Sequence, residues 1–380
     1  MTVRILRFLV RPAVTLALAA LASACSTAAL ARDFRAEGVD AGVGLGARYV
    51  AQGGTGVAFA DDVYALYYNP AGLAGVKGLQ LSVTRQLDAR MHPFSFVGAA
   101  WQLPLAPSWG LDATVAAAFY PRIHARASGA FERNEVESIF LRFLLPGING
   151  TFDGDIDSKT KSYRIALGVA PSAKRRWAVG AYLERIDCQS RFCGVHATSN
   201  GYTESSTDAT ALGYGLGLRW QPADAWTAAL AISDLRTELD VSTISTDAAG
   251  TRTRLWRAQF PRKLALELSH QFSSQVRWAV GYEVMRGAYG DNSLDIQILR
   301  AGWERTQGAW VWRAGALVPL RVSSADTGRL KLPAPLAPTL GLGWRQGAWA
   351  VDAAVYAHPV MTLHKDRVSP TADLSLTLGF

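Results

Sequence analysis

From residue 78 onward, apolar residues recur at every second position. The final segment is the plainest case. Leu374, Leu376, Leu378 and Phe380 share one face, and Asp373, Ser375, Thr377 and Gly379 the other. Trp278, Val280, Tyr282 and Val284 alternate in the same way with Arg277, Ala279, Gly281 and Glu283, and Tyr163, Ile165, Leu167 and Val169 with Arg164, Ala166 and Gly168. A period of two sends successive side chains to opposite faces, so these are strands buried on one side. The pattern predicts an all-β chain with fourteen strands: 78–87, 94–103, 110–120, 162–170, 177–186, 210–220, 226–235, 263–273, 276–286, 295–305, 310–320, 337–345, 349–357 and 373–380. Each has about the ten residues that a tilted strand needs to cross a bilayer, and the count is even, as in single-chain bacterial outer-membrane barrels.

The connections alternate between tight and long. Tight ones fall at 104–109, 171–176, 221–225, 274–275, 306–309 and 346–348; long ones include 121–161, 187–209, 236–262, 321–336 and 358–372. Short turns on one rim and long loops on the other are the asymmetry of an antiparallel transmembrane barrel, and an even count sends both chain ends to the short-turn, periplasmic side. Tryptophan gives an independent check. Of twelve, ten lie within a few residues of a tight turn: Trp101, Trp109, Trp177, Trp220, Trp226, Trp278, Trp303, Trp310, Trp344 and Trp349. Indole has an apolar body and an N–H that needs a polar partner, which suits the membrane interface. The ending, alternating leucines closed by Phe380, resembles the signal read by the outer-membrane assembly machinery.

The N-terminus adds a compartment. Arg4, Arg7 and Arg11 precede the apolar stretch Ala13–Ala22, and Ala29-Leu30-Ala31 is a small-residue cleavage pattern. Residues 1–31 are expected to be a signal peptide. An alternative reads Ala22-Ser23-Ala24-Cys25 as a lipoprotein box with Cys25 as the anchor, although its first position lacks leucine. The formal net charge of +8 suits either nucleic acid or an anionic membrane surface. In an exported chain the partner is the membrane, with its lipid and lipopolysaccharide, and nucleic acid is not expected. Besides Cys25 there are two cysteines, Cys188 and Cys193, suited to one disulfide in an oxidising compartment. The alternative is a pair of loop thiols; a metal site from so few ligands is weaker still, and no cofactor is implied.

Residues 32–77 fit neither a good helix nor a good strand and precede the first of the strands. Gly42, Gly44, Gly46, Gly53, Gly54 and Gly56 permit tight backbone routes, and Asn69-Pro70 starts a turn. Gly42-Val43-Gly44-Leu45-Gly46 lacks the strand–helix unit that a dinucleotide-binding turn requires. A segment placed here is available to fill the lumen, leaving 78–380 as the barrel. The stretch "GGTGVAFADDVYALYYNPAGLAG", residues 53–75, resembles the N-terminal hatch of the FadL/TodX family of outer-membrane channels for long-chain fatty acids and other hydrophobic compounds. The matched features are the Gly-rich lead, Asp61-Asp62, the aromatics, and Asn69-Pro70-Ala71-Gly72-Leu73. The resemblance implies a fourteen-stranded barrel plugged by this hatch and a role in passive uptake of hydrophobic small molecules. It implies a plugging or gating role for Asp61, Asp62, Asn69, Pro70, Ala71 and Gly72; the alternative is a turn that only shapes the plug. Asp61 or Asp62 is expected to pair with an inward arginine such as Arg219 or Arg313.

Candidate substrate contacts come from two places. In the loop 121–161, Ile139, Phe140, Phe143 and Leu144 share a face if 137–145 is helical, an apolar patch suited to a landing place or to a lid packed on neighbouring loops. Inward positions of the strands are mostly Gly, Ala and Ser, with charges at Arg164, Arg219, Arg277, Glu283 and Arg313. Arg219, Arg277 and Arg313 suit a substrate carboxylate through their planar forks, or an ion pair across the lumen. The family's lateral exit lies at a kink in the third strand; 110–120 has no internal Gly or Pro, and Pro121 comes just after it. An enzyme is not expected: His92, His124, His196, His358 and His364 map to outer loops, and none stands in a spaced motif with Ser or Asp. The other competing reading is a secretion-associated or scaffold barrel that binds protein partners through its outer loops.

Overall fold

The computed structural model describes residues 35–37, 40–132, 151–172, 176–189, 197–199, 202–206, 209–289, 292–324, 328–329, 336–359, 361–362 and 367–380. The expected signal peptide, Cys25, Cys193 and the loop patch Ile139, Phe140, Phe143 and Leu144 lie outside the described residues.

Fourteen antiparallel strands form a closed barrel. They are β1 (Leu79–Gln86), β2 (Phe96–Gln102), β3 (Leu111–Glu132), β4 (Thr151–Pro171), β5 (Trp177–Gln189), β6 (Ala209–Ala223), β7 (Trp226–Leu235), β8 (Gly250–Ser273), β9 (Val276–Tyr289), β10 (Asn292–Gln307), β11 (Trp310–Ser324), β12 (Ala337–Gln346), β13 (Trp349–Ala357) and β14 (Pro370–Gly379). The seam joins β14 to β1 with Leu376 opposite Val83. It is zipped to the last residue: Phe380 N–H donates to the Leu79 carbonyl at 2.8 Å. Closure leaves no edge of the ring with unpaired peptide groups, the condition for a sheet in hydrocarbon.

The fourteen expected strands are all present, but several outrun their expected outer ends. β3, β4 and β8 extend over 22, 21 and 24 residues. Further strands at Ala197–Ser199, Tyr202–Ser206 and Glu238–Asp247 occupy two of the expected long loops, with Thr243 opposite Ser206. Beyond the apolar belt both faces of a strand meet water, so it needs no alternating apolar face. A search for period two therefore stops where the apolar belt stops.

Within the belt the barrel is inside-out. Ile165 is 59% exposed, Leu216 52% and Leu340 63%, while their inward neighbours Arg164 and Arg313 are each at 2%. A soluble β-protein puts its charges the other way round. Trp177 lies opposite Trp220, Trp278 opposite Trp303 and Trp310 opposite Trp344, all near the short turns. These pairs make a discontinuous indole band at that rim. No helix among the described residues is long and apolar enough to cross a membrane.

The N-terminal segment folds into single turns, α1 (Asp40–Val43), α2 (Ala47–Val50) and α3 (Ala65–Tyr68), then a 3₁₀ turn at Pro70–Gly75. Its start departs from expectation. Leu79 and Phe380 do meet at the short-turn rim, but Arg35–Glu37 pairs with His124–Arg126 on the outer extension of β3. The Glu37 carboxylate accepts N–H groups of Arg90 at 2.5 Å, Met91 at 2.8 Å and His92 at 3.0 Å, in the β1–β2 connection. The segment thus begins at the long-loop end and reaches the first strand at the other. The even-count rule fixes the ends of the ring, not those of a segment that precedes it.

Candidate functional site

The segment's backbone comes close enough to the wall that side chains on the wall would block it. A methyl group on Gly217 of β6 would sit 1.9 Å from Asn69 Oδ1, and one on Gly180 of β5 would sit 2.3 Å from the Pro70 carbonyl carbon. Asn69 organises this approach. Its Oδ1 accepts the Ala71 N–H at 3.1 Å, and its Nδ2 donates to the Val57 carbonyl at 2.9 Å and to the Leu218 carbonyl on β6 at 3.1 Å. Pro70 has no N–H to satisfy and suits the first position of the turn. Pro70, Ala71 and Gly72 are buried with it.

The aromatics of the segment make its core. Tyr49 packs on Phe59, Tyr64 and Tyr68, and Tyr64 meets Phe96 of β2 at 4.4 Å between ring centroids. Tyr67 lies edge-on to Tyr120 of β3. Their hydroxyls are satisfied. Tyr68 donates to the Leu45 carbonyl at 2.9 Å and accepts the Leu45 N–H at 3.0 Å, and Tyr64 shares a 2.6 Å bond with Thr84 Oγ1. Buried tyrosines need such partners.

Charged wall residues grip the other half of the segment through its backbone. Arg300 Nη1 donates to the Gly53 carbonyl at 3.0 Å, and its Nη2 pairs with Glu283 at 3.0 Å. Glu267 accepts the N–H groups of Gly56 and Ala58, each at 2.9 Å. Thr339 accepts the Gly53 N–H at 2.9 Å and donates to the Ala51 carbonyl at 3.0 Å, and Ser375 accepts the Ala47 N–H at 2.8 Å. These contacts come from β8, β10, β12 and β14, on the side of the ring away from Gly180 and Gly217.

The aspartate pair departs from expectation. Asp61 and Asp62 both bind Arg48 Nη1, at 2.8 and 3.0 Å, so their partner belongs to the segment itself. Arg313 is engaged elsewhere, by Glu304 at 2.7 Å and Asp352 at 2.6 Å, and Arg277 by Glu304 at 2.6 Å. Arg219 lies near Asp61 across Gly75 and makes no ion pair among the described residues. The three arginines offered for a substrate carboxylate thus sit close to the short-turn ends of their strands, with the segment between them and the long loops. Desolvation by the surrounding protein works to raise the half-exposed Asp61 carboxyl, but Arg48, with Arg277 and Arg219 beyond it, outweighs that and holds it below the ordinary 3.8. Burial wins at Asp62 and pushes that carboxyl up, against the pull of Arg48. One cation between two carboxylates cannot satisfy both equally.

Nearer the long loops, Arg164 pairs with Glu184 at 2.7 Å, lies 3.6 Å from the centroid of the Tyr182 ring and donates to the Leu66 carbonyl at 3.2 Å. Ser162 also binds Glu184. β3 has a register break between Pro121 and Ile123, and Arg122 turns in there to bind Asp234 through both nitrogens, at 2.7 and 2.8 Å. The irregularity in the third strand therefore exists and lies past 110–120. Sequence reasoning missed Glu184, Glu267, Arg300, Glu304 and Asp352. The available signal was their place on the polar face of alternating strands; without register, nothing told which would meet.

Cys188 is disulfide-bonded. His92 and His124 touch, with 2.7 Å between Nε2 and Nδ1. Among the described residues no group of His, Cys, Asp and Glu is arranged to hold a metal ion.

No family model and no curated protein matches the chain. Among solved structures it is similar to the toluene transporter TbuX of Ralstonia pickettii, at 15% identity over 89% of this chain and 99% of that one, with a TM-score of 0.56. It is similar to the toluene transporter TodX of P. putida, at 15% identity over 89% and 99%, TM-score 0.53. A Pseudomonas aeruginosa FadL homologue aligns at 13% identity over 86% and 96%, TM-score 0.54. At such identities the likeness is one of fold, and that fold is the FadL/TodX barrel.

Proposed function

We propose that this chain, built on the FadL/TodX barrel fold, is an outer-membrane channel for passive uptake of hydrophobic compounds, with residues 32–77 as its plug. The observation that supports the reading is an outer wall of exposed apolar side chains whose inward-facing residues hydrogen-bond the N-terminal segment from several strands. A barrel of this width without such a segment would pass polar solutes. Toluene and fatty acids belong to the same broad class of cargo, and long-chain fatty acids remain one candidate within it. Ile139, Phe140, Phe143 and Leu144 serve as the apolar landing patch in this reading, Cys188 and Cys193 form one disulfide, and Phe380 is read by the assembly machinery. The second reading, a scaffold for protein partners, draws on the outer extensions of β3, β4 and β8.

Deleting residues 66–73 separates the two. Planar-bilayer conductance and uptake of a radiolabelled hydrocarbon into proteoliposomes are measured on folded barrels, recognised by heat-modifiable migration. A gating plug gives raised conductance with altered hydrocarbon uptake. Conductance equal to the wild type would sink the plug, and raised conductance with unaltered uptake would favour the scaffold. Recovery of the protein from the soluble periplasm would end both.

A further inference from the structure

The outer wall carries a second feature at the long-loop end, on β8 to β11. Leu264, Leu266 and Leu268 of β8, with Val280 of β9 and Leu299 of β10, form part of the apolar belt. Just past that belt on the same face stand Arg262 of β8 and Arg286 of β9, directly opposite each other in the ladder. Two strands further on, Arg321 of β11 projects to the same side, 54% exposed, with Arg286 at 70%. One carboxylate, Asp295, serves Arg286 and Arg321 together, each only at 3.7 Å. Arg262 has no ion pair among the described residues.

Like charges directly opposite on neighbouring strands are unfavourable, and the usual remedy is a carboxylate across the next ladder. On the β10 side Asp295 stands opposite Arg286 but is shared with Arg321; on the β7 side, beside Arg262, the remedy is absent for a structural reason. Ser233 of β7 pairs with Lys263, so continuing that register would set Asp234 opposite Arg262. Asp234 instead takes a left-handed backbone, φ 57°, and turns into the lumen to bind Arg122. Arg257, higher on β8, shows the contrast: it is paired with Asp240 at 2.7 Å. Arg262, Arg286 and Arg321 are thus left as an under-neutralised cluster at the boundary between hydrocarbon and water.

We propose that Arg262, Arg286 and Arg321 form a binding site for the phosphate groups of a membrane glycolipid, the bisphosphorylated lipid A of the outer leaflet. Guanidinium forks suit phosphate oxygens two at a time, and a phosphate between Arg262 and Arg286 relieves their repulsion. The acyl chains of the same molecule lie along the leucines beneath. The leaflet follows from the outer-membrane orientation proposed above, with the long loops outward. Placed there, the site would fix the rotation and depth of the barrel in its leaflet.

The test uses the full chain purified in detergent micelles and titrated with bisphosphorylated lipid A, dephosphorylated lipid A and phosphatidylglycerol, with bound lipid read by native mass spectrometry. The wild type is expected to prefer the bisphosphorylated form. Arg262→Gln with Arg286→Gln should weaken it about thirtyfold, while binding of the dephosphorylated form stays unchanged. Arg262→Lys with Arg286→Lys keeps the charge and loses the fork, and should fall between. Arg305→Gln, on an exposed arginine at the short-turn end, should change nothing. Equal affinity of the Gln variant and wild type, or equal binding of all three lipids, would overturn the proposal, as would a preference for phosphatidylglycerol. Heat-modifiable migration of each variant shows that the barrel is folded. Hydrocarbon uptake is assayed separately, so its loss with lipid binding intact counts against the channel and not against this site.

Discussion

The two halves of the N-terminal segment are held to the same wall by different balances of contacts. Both press on wall glycines, Gly302, Gly315 and Gly341 against 51–55 and Gly180 and Gly217 against 69–71, but wall charges and hydroxyls take most of their peptide contacts from the first half. Residues 47–58 are gripped through their peptide groups by ionised or hydroxyl side chains of the wall: Arg300, Glu267, Thr339 and Ser375. Residues 63–74 are held mainly by shape, with tyrosines packed inward and Pro70 pressed against Gly180 where no side chain fits. A grip on peptide groups, backed by the contacts of Arg48 and Gln52 with Glu304, fails when a wall charge is lost. A fit against glycine is indifferent to charge and fails when the wall gains an atom.

The largest expected effect comes from Glu304→Ala. Glu304 is the carboxylate shared by Arg277 and Arg313, and it also reaches Arg48 Nε at 3.8 Å and accepts from Gln52 Nε2 at 3.4 Å. Replacing a buried pair outright can be neutral, but removing one member strands the others, at about 3–5 kcal/mol. Hydrogen exchange should speed up across 47–58 while 63–74 stays protected. Uniform loss across both stretches would erase the distinction between them.

Gly180→Val is the converse. Forcing a side chain into a filled space costs about 1–3 kcal/mol, taken up by displacing the Pro70–Gly75 turn. Protection should fall in 69–74 and persist in 47–58, with conductance raised. Unchanged exchange throughout would mean that the wall yields instead. Asn69→Ala is milder. It removes the turn's cap and the bond to Leu218, worth about 1 kcal/mol, and should accelerate exchange at Ala71 most.

This asymmetry between the halves also marks what the sequence could reveal. The shape-held half was legible: the Asn69-Pro70 turn, the aromatics and the alternation that places Gly180 and Gly217 inward can be read from residue types alone. Strand number, rim asymmetry and the indole band were legible for the same reason, since each depends on local periodicity. The charge-held half was not. Glu304 and Arg313 face each other across the tight β10–β11 turn, but Arg48 of the segment and Asp352 of β13, which complete the cluster, arrive from parts of the chain whose placement no local pattern encodes. The same limit sent Asp61 or Asp62 to an inward arginine such as Arg219 or Arg313 in expectation, when Arg48 lay nearer along the chain. The outer extensions of β3 and β8 escaped notice because water on both faces removes the periodic signal.

The smallest effect separates two adjacent residues. Asp61 and Asp62 share Arg48, yet their carboxyls are shifted in opposite directions. For Asp61 the folded pKa is depressed, so its contribution is present above the ordinary value and disappears as pH falls through the lower folded one. For Asp62 the folded pKa is raised, so the folded state gains as pH falls through that raised value. At neutral pH, Asp61→Asn should therefore destabilise the segment, though by no more than about 1 kcal/mol because its side chain is half exposed, at 49%. Asp62→Asn should be near neutral, since an amide keeps an acceptor for the Tyr64 N–H at 3.0 Å and sheds a charge that burial disfavours. Exchange rates over 47–58 in the two single variants decide the matter. If Asp62→Asn proves the more damaging, Arg48 takes its balancing charge from the buried aspartate, and the charge-held half is anchored one residue deeper than the ion-pair distances suggest.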